Sequence, residues 1–188
     1  MNSYCPGNKA DWRNWLEKNH LTEDSIWLIF YKTTSPSYNL SWSDAVYEAL
    51  CFGWIDSTKK SIDDEKYIQY FCKRKPQSNW SKVNKEKVKN LMEQGLMEEA
   101  GFRSIDIAKE NGSWSFLDAV EALIIPEDLK EEFANYKGSI DYFRSLNKST
   151  QKILLYWVVS AKREDTRRKR VVEVAENASR KMKPKQFR

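Results

Sequence analysis

The 188-residue chain carries 32 Lys and Arg against 27 Asp and Glu, a net charge of +5, with 40% apolar and 31% charged residues. Eight Trp, nine Tyr and eight Phe are far too many for a disordered chain, so a folded protein is expected. No run reaches the ~18 consecutive apolar residues of a membrane-spanning helix, and the opening Met-Asn-Ser-Tyr-Cys-Pro-Gly lacks the charged and apolar regions of a signal peptide, which points to the cytoplasm.

A single histidine, His20, excludes His-rich zinc sites and leaves any Ser-His-Asp or Cys-His arrangement one residue to use. Cys5, Cys51 and Cys72 are odd in number and form no CxxC pair, so free thiols in a reducing compartment are expected, with neither metal nor cofactor.

Trp12, Trp15, Leu16 and Asn19 share a helical face and predict a helix over residues 9–19, with His20 at its end. The run SIWLIFYK at 25–32 reads as a strand, and 33–39, with Ser, Pro and Asn, as a loop. Ser41 or Ser43 can cap a second helix that turns Ala45, Val46, Ala49 and Leu50 inward and stops at Gly53. Residues 54–58 and 67–73 form a hairpin candidate around Asp63 and Asp64. Beyond Pro76 the strands stop. Val88, Leu91 and Met92 mark one helix ending near Gly95, and Met97, Ala100, Ile105 and Ala108 another ending near Gly112. Pro126 suits the first turn of a helix holding Leu129 and Phe133. Ile153, Leu154, Trp157, Val158 and Ala161 form an apolar stripe, continued by Val171, Val174, Ala175, Ala178 and Met182. The reading is α+β: a small antiparallel sheet with helices in the N-terminal half, and an all-helical C-terminal half.

Charge is unevenly spread. Residues 59–89 hold ten Lys and Arg against four acids, and 160–188 hold eleven against four, while the remainder is acidic. In the first segment a helix beginning near Lys82 places Ser81 and Asn84 at a helix N-terminus, where free N–H groups and cations make an anion site. Arg74, Lys75, Ser78, Trp80, Ser81 and Asn84 are its candidate residues; alternatively Ser81 caps the helix and Trp80 fills the core. In the second segment Lys162, Arg163, Arg167 and Arg170 are candidate polyanion contacts, and Glu164 with Arg168 and Asp165 with Lys169 are spaced as i,i+4 pairs. Cys51, with Lys59 and Lys60 eight and nine positions on, and Asp56 offer little for catalysis, because Cys51 has no identifiable base and Asp56 no partner at acid/base spacing.

Four separated motifs carry a resemblance: EALCFGWIDS from Glu48, RKPQSNWSKVN from Arg74, GLMEEAG from Gly95 and SAKREDTRRKR from Ser160. With Trp12, Trp15, Leu16 and Trp27, they make the chain resemble the YdeI/OmpD-associated, bacteriocin-protection (OmdA-like) family. The resemblance implies a bacterial α+β module over 1–120, similar to a small domain of unknown function, and a helical family module over 121–188. The family name implies protection against bacteriocins or cationic peptides, and no catalytic residues come with it. Three readings stay open. One is a cytoplasmic binding or stress-resistance protein recognising an anionic small molecule. Another is a nucleic-acid binder using both basic segments. The third is an enzyme of unrecognised type built on Cys51, Asp56 or Arg74. The oligomeric state is not readable.

Overall fold

The computed structural model describes residues 2–188, and the chain divides into two compact units, one through Ser115 and one over Phe116–Arg188. The first contains β1 (Ser3–Tyr4), α1 (Lys9–Asn19), β2 (Ser25–Tyr31), α2 (Trp42–Cys51), β3 (Trp54–Ser61), β4 (Lys66–Lys73), α3 (Lys82–Glu93) and α4 (Glu99–Glu110). The second contains α5 (Asp118–Glu121), α6 (Glu127–Ala134), α7 (Ser139–Ser145), α8 (Lys148–Val159) and α9 (Glu164–Ser179), then a short 3-10 turn, Lys185–Phe187. The α+β reading holds, with strands confined to the N-terminal half. Among the described residues no helix is long and apolar enough to cross a membrane.

The sheet has the order β1-β2-β4-β3 and is mixed. The expected hairpin, β3 with β4, is present, β2 pairs antiparallel with β4, and the two-residue β1 adds a parallel edge on β2. So short a strand carries no periodicity to read. Along β2 the period of two sends Ile26, Leu28 and Phe30 into the core. The hairpin turn is held by Asp63, whose Oδ1 accepts from the N–H groups of Glu65 and Lys66 at 2.9 and 2.7 Å. That is the Asx-type turn its residues favour.

Local capping follows the expected chemistry. Ser41 caps α2 and Ser81 caps α3, each accepting from an N–H three residues on. His20 ends α1, its Nδ1 2.8 Å from the Leu16 carbonyl. The N-terminal core gathers Trp12, Leu16, Phe30, Trp54, Phe71 and Trp80 with the inner faces of the helices. Trp12 also donates to the Ala45 carbonyl at 3.0 Å, so its indole is buried without losing a hydrogen bond.

Two stripes differ from the expected phase, and the α9 stripe keeps Val171, Val174, Ala175 and Ala178 buried but not Met182. Met92 and Met182 are exposed, and in α8 it is Leu154, Leu155 and Val158 that are buried, whereas Ile153 is 48% exposed. Ala161 lies beyond the end of α8 and Met182 beyond α9. In α3 and α8 a polar residue belongs to the buried face. Lys87 lies with Val88 and Leu91, and Gln151 lies with Leu154, Leu155 and Val158. Gln151 is accepted there because its amide donates to the Leu146 and Arg144 carbonyls. Hydrophobicity alone misphases such helices. Pro126 stands one position before the helix, as its N-cap.

The helical unit closes around Leu129, Phe133, Phe143, Leu155, Val158 and Ala175. Ser139, fully buried, donates to the Phe133 carbonyl at 2.9 Å and ties α7 to α6.

One close approach shapes the first unit. Gly53 has φ +71°, and a Cβ there would lie 2.7 Å from the Ala100 carbonyl oxygen; a Cβ on Gly101 would collide with the carbonyl oxygen of Cys51. Gly101→Ala should therefore destabilise by about 1–3 kcal/mol, although Gly→Ala within a helix ordinarily stabilises by about 1 kcal/mol. Urea unfolding measures the difference, and a gain in stability would contradict the packing described.

Candidate functional site

The chain leaving β4 runs directly into the sequence-predicted site. The Arg74 N–H donates to the Gly53 carbonyl at 2.9 Å, extending the β3–β4 pairing by one residue. This aims the Arg74 side chain across Trp80, with its guanidinium carbon 3.7 Å from the ring centroid. Trp80 itself is 1% exposed and packs against Trp114, ring centroids 4.9 Å apart.

Arg74 is a mostly buried cation with few partners. One terminal nitrogen donates to the Asn79 carbonyl at 2.6 Å, while Nε and the other terminal nitrogen are buried without any acceptor. Among the described residues no carboxylate lies within ion-pair distance of it. Burial lowers its pKa to about 10, with Asp56 and Cys72 acting in the opposite direction. The group therefore stays charged at neutral pH. An unmatched buried charge is costly, and cation–π contact with Trp80 offsets only part of that cost.

Arg74 borders a cleft of about 600 Å³, lined also by His20, Phe52, Lys73, Lys75, Glu98, Glu99 and Arg103. Two of these charges are already matched: Lys73 binds Asp24 at 3.0 Å, and Glu98 is held by Arg13. Arg74, Lys75 and Arg103 remain against Glu99, a positive balance suited to an anion.

The other predicted residues are placed nearby with different tasks. Lys75 is exposed on the cleft. The Ser78 N–H closes a turn onto the Lys75 carbonyl. Ser81 Oγ accepts the Asn84 N–H at 3.2 Å, so that oxygen serves the α3 cap. The structure thus joins Arg74 to Trp80 and to the cleft, while Ser78, Ser81 and Asn84 make the turn and cap beside them.

In the helical unit Arg167 forms a two-bonded pair with Asp128, at 2.6 and 2.9 Å, joining α9 to α6. Arg170 donates to the Trp157 carbonyl at 2.6 Å and lies 5.1 Å from that ring. Lys162 and Arg163 are exposed. Among the described residues neither Glu164–Arg168 nor Asp165–Lys169 comes within ion-pair distance.

Cys51 is buried, donates to the Tyr47 carbonyl, and burial with the nearby Glu48 charge pushes its thiol up to about 11. A thiol held protonated at neutral pH is a poor nucleophile.

Sequence reasoning missed Lys87 and Glu48, and it missed the partners of Asp56. Asp56, which has no sequence neighbour as a partner, accepts from Trp42 Nε1 and Gln69 Nε2 at 2.8 and 2.9 Å. Lys87 is 7% exposed, donates to Ser43 Oγ at 2.8 Å and sits over the Tyr47 ring; burial lowers its pKa. Glu48, 3% exposed, receives Arg13 at 2.9 Å and Lys9 at 3.2 Å. Only Lys87 left a trace in sequence, because positions 84, 87, 88 and 91 share one helical face.

A mixed-sheet α+β unit bearing a cationic cleft, followed by an all-helical unit, is the class of protein this geometry defines. Residues 4–104 match a domain of unknown function, DUF8412. That is more than half of the chain, which therefore belongs to this family. Residues 122–181 match the family described as bacteriocin-protection, YdeI or OmpD-associated, which bears out the resemblance read from the motifs. No curated protein and no solved structure matches the chain.

Trp80→Ala should cost about 3–5 kcal/mol in urea unfolding; a loss below about 1 kcal/mol would remove the ring from the core. In the helical unit the Arg167 hydrogen bonds hold the Asp128 carboxyl below its ordinary 3.8. This stabilisation is present above the unfolded carboxylate range and is lost as pH falls through the depressed folded value. The melting-temperature advantage of wild type over Asp128→Asn should therefore shrink between about pH 5 and pH 2. An advantage unchanged over that range would sever the pair from stability.

Proposed function

We propose that this protein is a cytoplasmic binding protein in which the N-terminal unit recognises a small anionic molecule, with Arg74 as the anchoring cation. The observation that carries the reading is the buried Arg74 guanidinium, two of whose nitrogens have no acceptor, beside a cleft with a positive balance. An oxyanion of phosphate or carboxylate type bound in the cleft would set negative charge against this unmatched cation, and a guanidinium is the side chain that best pairs with such groups. Lys75 and Arg103 add long-range attraction from the rim. Three unpaired cysteines fit a reducing compartment. The bacteriocin-protection description of the helical unit's family fits a role in stress resistance, with ligand recognition in one unit serving the other.

Thermal unfolding in phosphate, sulfate and citrate, at matched ionic strength, tests the reading. A ligand present at about 100 times its Kd should stabilise by about 2.7 kcal/mol, seen as a rise in melting temperature. Arg74→Met should leave the anion-free melting temperature nearly unchanged, because an unmatched buried charge is replaced by an apolar chain of similar reach. The same substitution should abolish the anion-induced rise. An equal rise in Arg74→Met, or no rise in wild type with any of the three anions, would overturn the proposal.

A further inference from the structure

The first unit has a second cleft that shares no lining residue with the Arg74 cleft. Two hollows of about 460 and 340 Å³ share Trp42, Lys59 and Tyr67 among their walls, beside the start of α2 and the β3–β4 hairpin. Trp42 and Tyr38 are 47% and 44% exposed there, large apolar rings left facing solvent.

The polar groups left over in this cleft are acceptors. Asp56 Oδ2 accepts from Trp42 and Gln69, but among the described residues Oδ1 has no partner. Gln69 directs its amide nitrogen to Asp56 and to the Ser57 carbonyl, leaving its own oxygen as its remaining group. A carboxylate with spare capacity among aromatic faces is the environment that attracts an organic cation.

The chain already offers one. The Lys59 ammonium lies 3.8 Å from the Tyr67 ring centroid, and among the described residues it has no carboxylate partner within ion-pair distance. A β-bulge puts it there. Asp56 pairs with Phe71 and Lys59 with Gln69, so three steps along β3 match two along β4. The extra residue turns Lys59 to the same face as Asp56, a re-aiming that bulges commonly perform.

We infer that this cleft is a binding site for a small organic ammonium ion, with the Lys59 ammonium as its tethered internal competitor. Trp42, Tyr38 and Tyr67 supply ring faces, and Asp56 supplies the charge. Because the Lys59 ammonium already occupies the Tyr67 ring face, removing it should strengthen binding.

The test is titration of the full chain with choline at constant ionic strength, followed by tryptophan fluorescence and by calorimetry. Its neutral isostere 3,3-dimethylbutanol is titrated in parallel. Lys59→Met should bind choline about tenfold more tightly than wild type, equivalent to about 1.4 kcal/mol. Adding Trp42→Ala to that variant should abolish the gain. Trp42 is exposed enough for the fold to survive its loss, and circular dichroism melting checks this. Asp56→Asn in the same background should weaken choline binding and leave 3,3-dimethylbutanol unaffected. Unchanged or weaker choline binding by Lys59→Met, or 3,3-dimethylbutanol binding as tightly as choline, would overturn the inference.

Discussion

Two glycines set the distance between the end of α2 and the start of α4, and much of the first unit depends on that distance. Without a Cβ on Gly101, the α4 backbone rests against the Cys51 carbonyl, and the positive φ of Gly53 turns the chain sharply into β3. The Gly53 carbonyl then receives the Arg74 N–H, which fixes where the chain leaves the sheet. The walls of the cationic cleft, Phe52 and Gly53 on one side and the first turns of α4 on the other, are consequences of the same contact. Packing this close leaves little room for adjustment, since protein interiors are filled to crystal-like density.

The buried cations of this unit are partnered unequally. Arg13, 24% exposed at its side chain, has Glu17, Glu48 and Glu98 around it. Lys87 has a hydroxyl, a ring face, and the charges of Asp44 and Asp56 near enough to favour its protonated form. Arg74 has one carbonyl and one ring. Folding usually supplies buried charge with partners, because leaving it bare costs several kcal/mol. Where it does not, as at Arg74, the missing acceptor is a reason to look outside the chain.

Asp56 links the two clefts electrostatically. Its charge favours the protonated forms of both Arg74 and Lys87, while its own hydrogen bonds come from Trp42 and Gln69. A single carboxylate on β3 thus influences cations on two different elements, and the bulge that follows it decides which way the next lysine points. In the helical unit the corresponding work is done by arginines of α9. Arg167 and Arg170, which in sequence look like a charged surface, tie that helix to α6 and α8. Their guanidinium groups spend their directional hydrogen bonds inside the unit, whereas Lys162, Arg163, Arg168 and Lys169 are exposed.

Local features were legible in the residues alone. Caps at Ser41 and Ser81, the turn at Asp63, the stops at Gly53 and Gly95 and the strand at β2 all depend on groups within a few positions of one another. The α+β class and the family resemblance came from these patterns and from four motifs. Folding in three dimensions was needed wherever distant residues had to meet. Trp42 meets Asp56 across 14 positions, Arg13 meets Glu48 across 35, and Lys87 meets Ser43 across 44. The helix phases of α3 and α8 belong with these, because Lys87 and Gln151 are buried by partners that periodicity cannot register. So does the candidate site. Arg74 and Trp80 were visible as residue types six apart, but the unmatched guanidinium and the cleft beside it arise only when the end of α2, the start of α4 and the end of β4 close together. Local sequence specifies short-range hydrogen bonds and amphipathic faces; burial, and the shortage of acceptors that gives buried charge its chemistry, is a property of the assembled core.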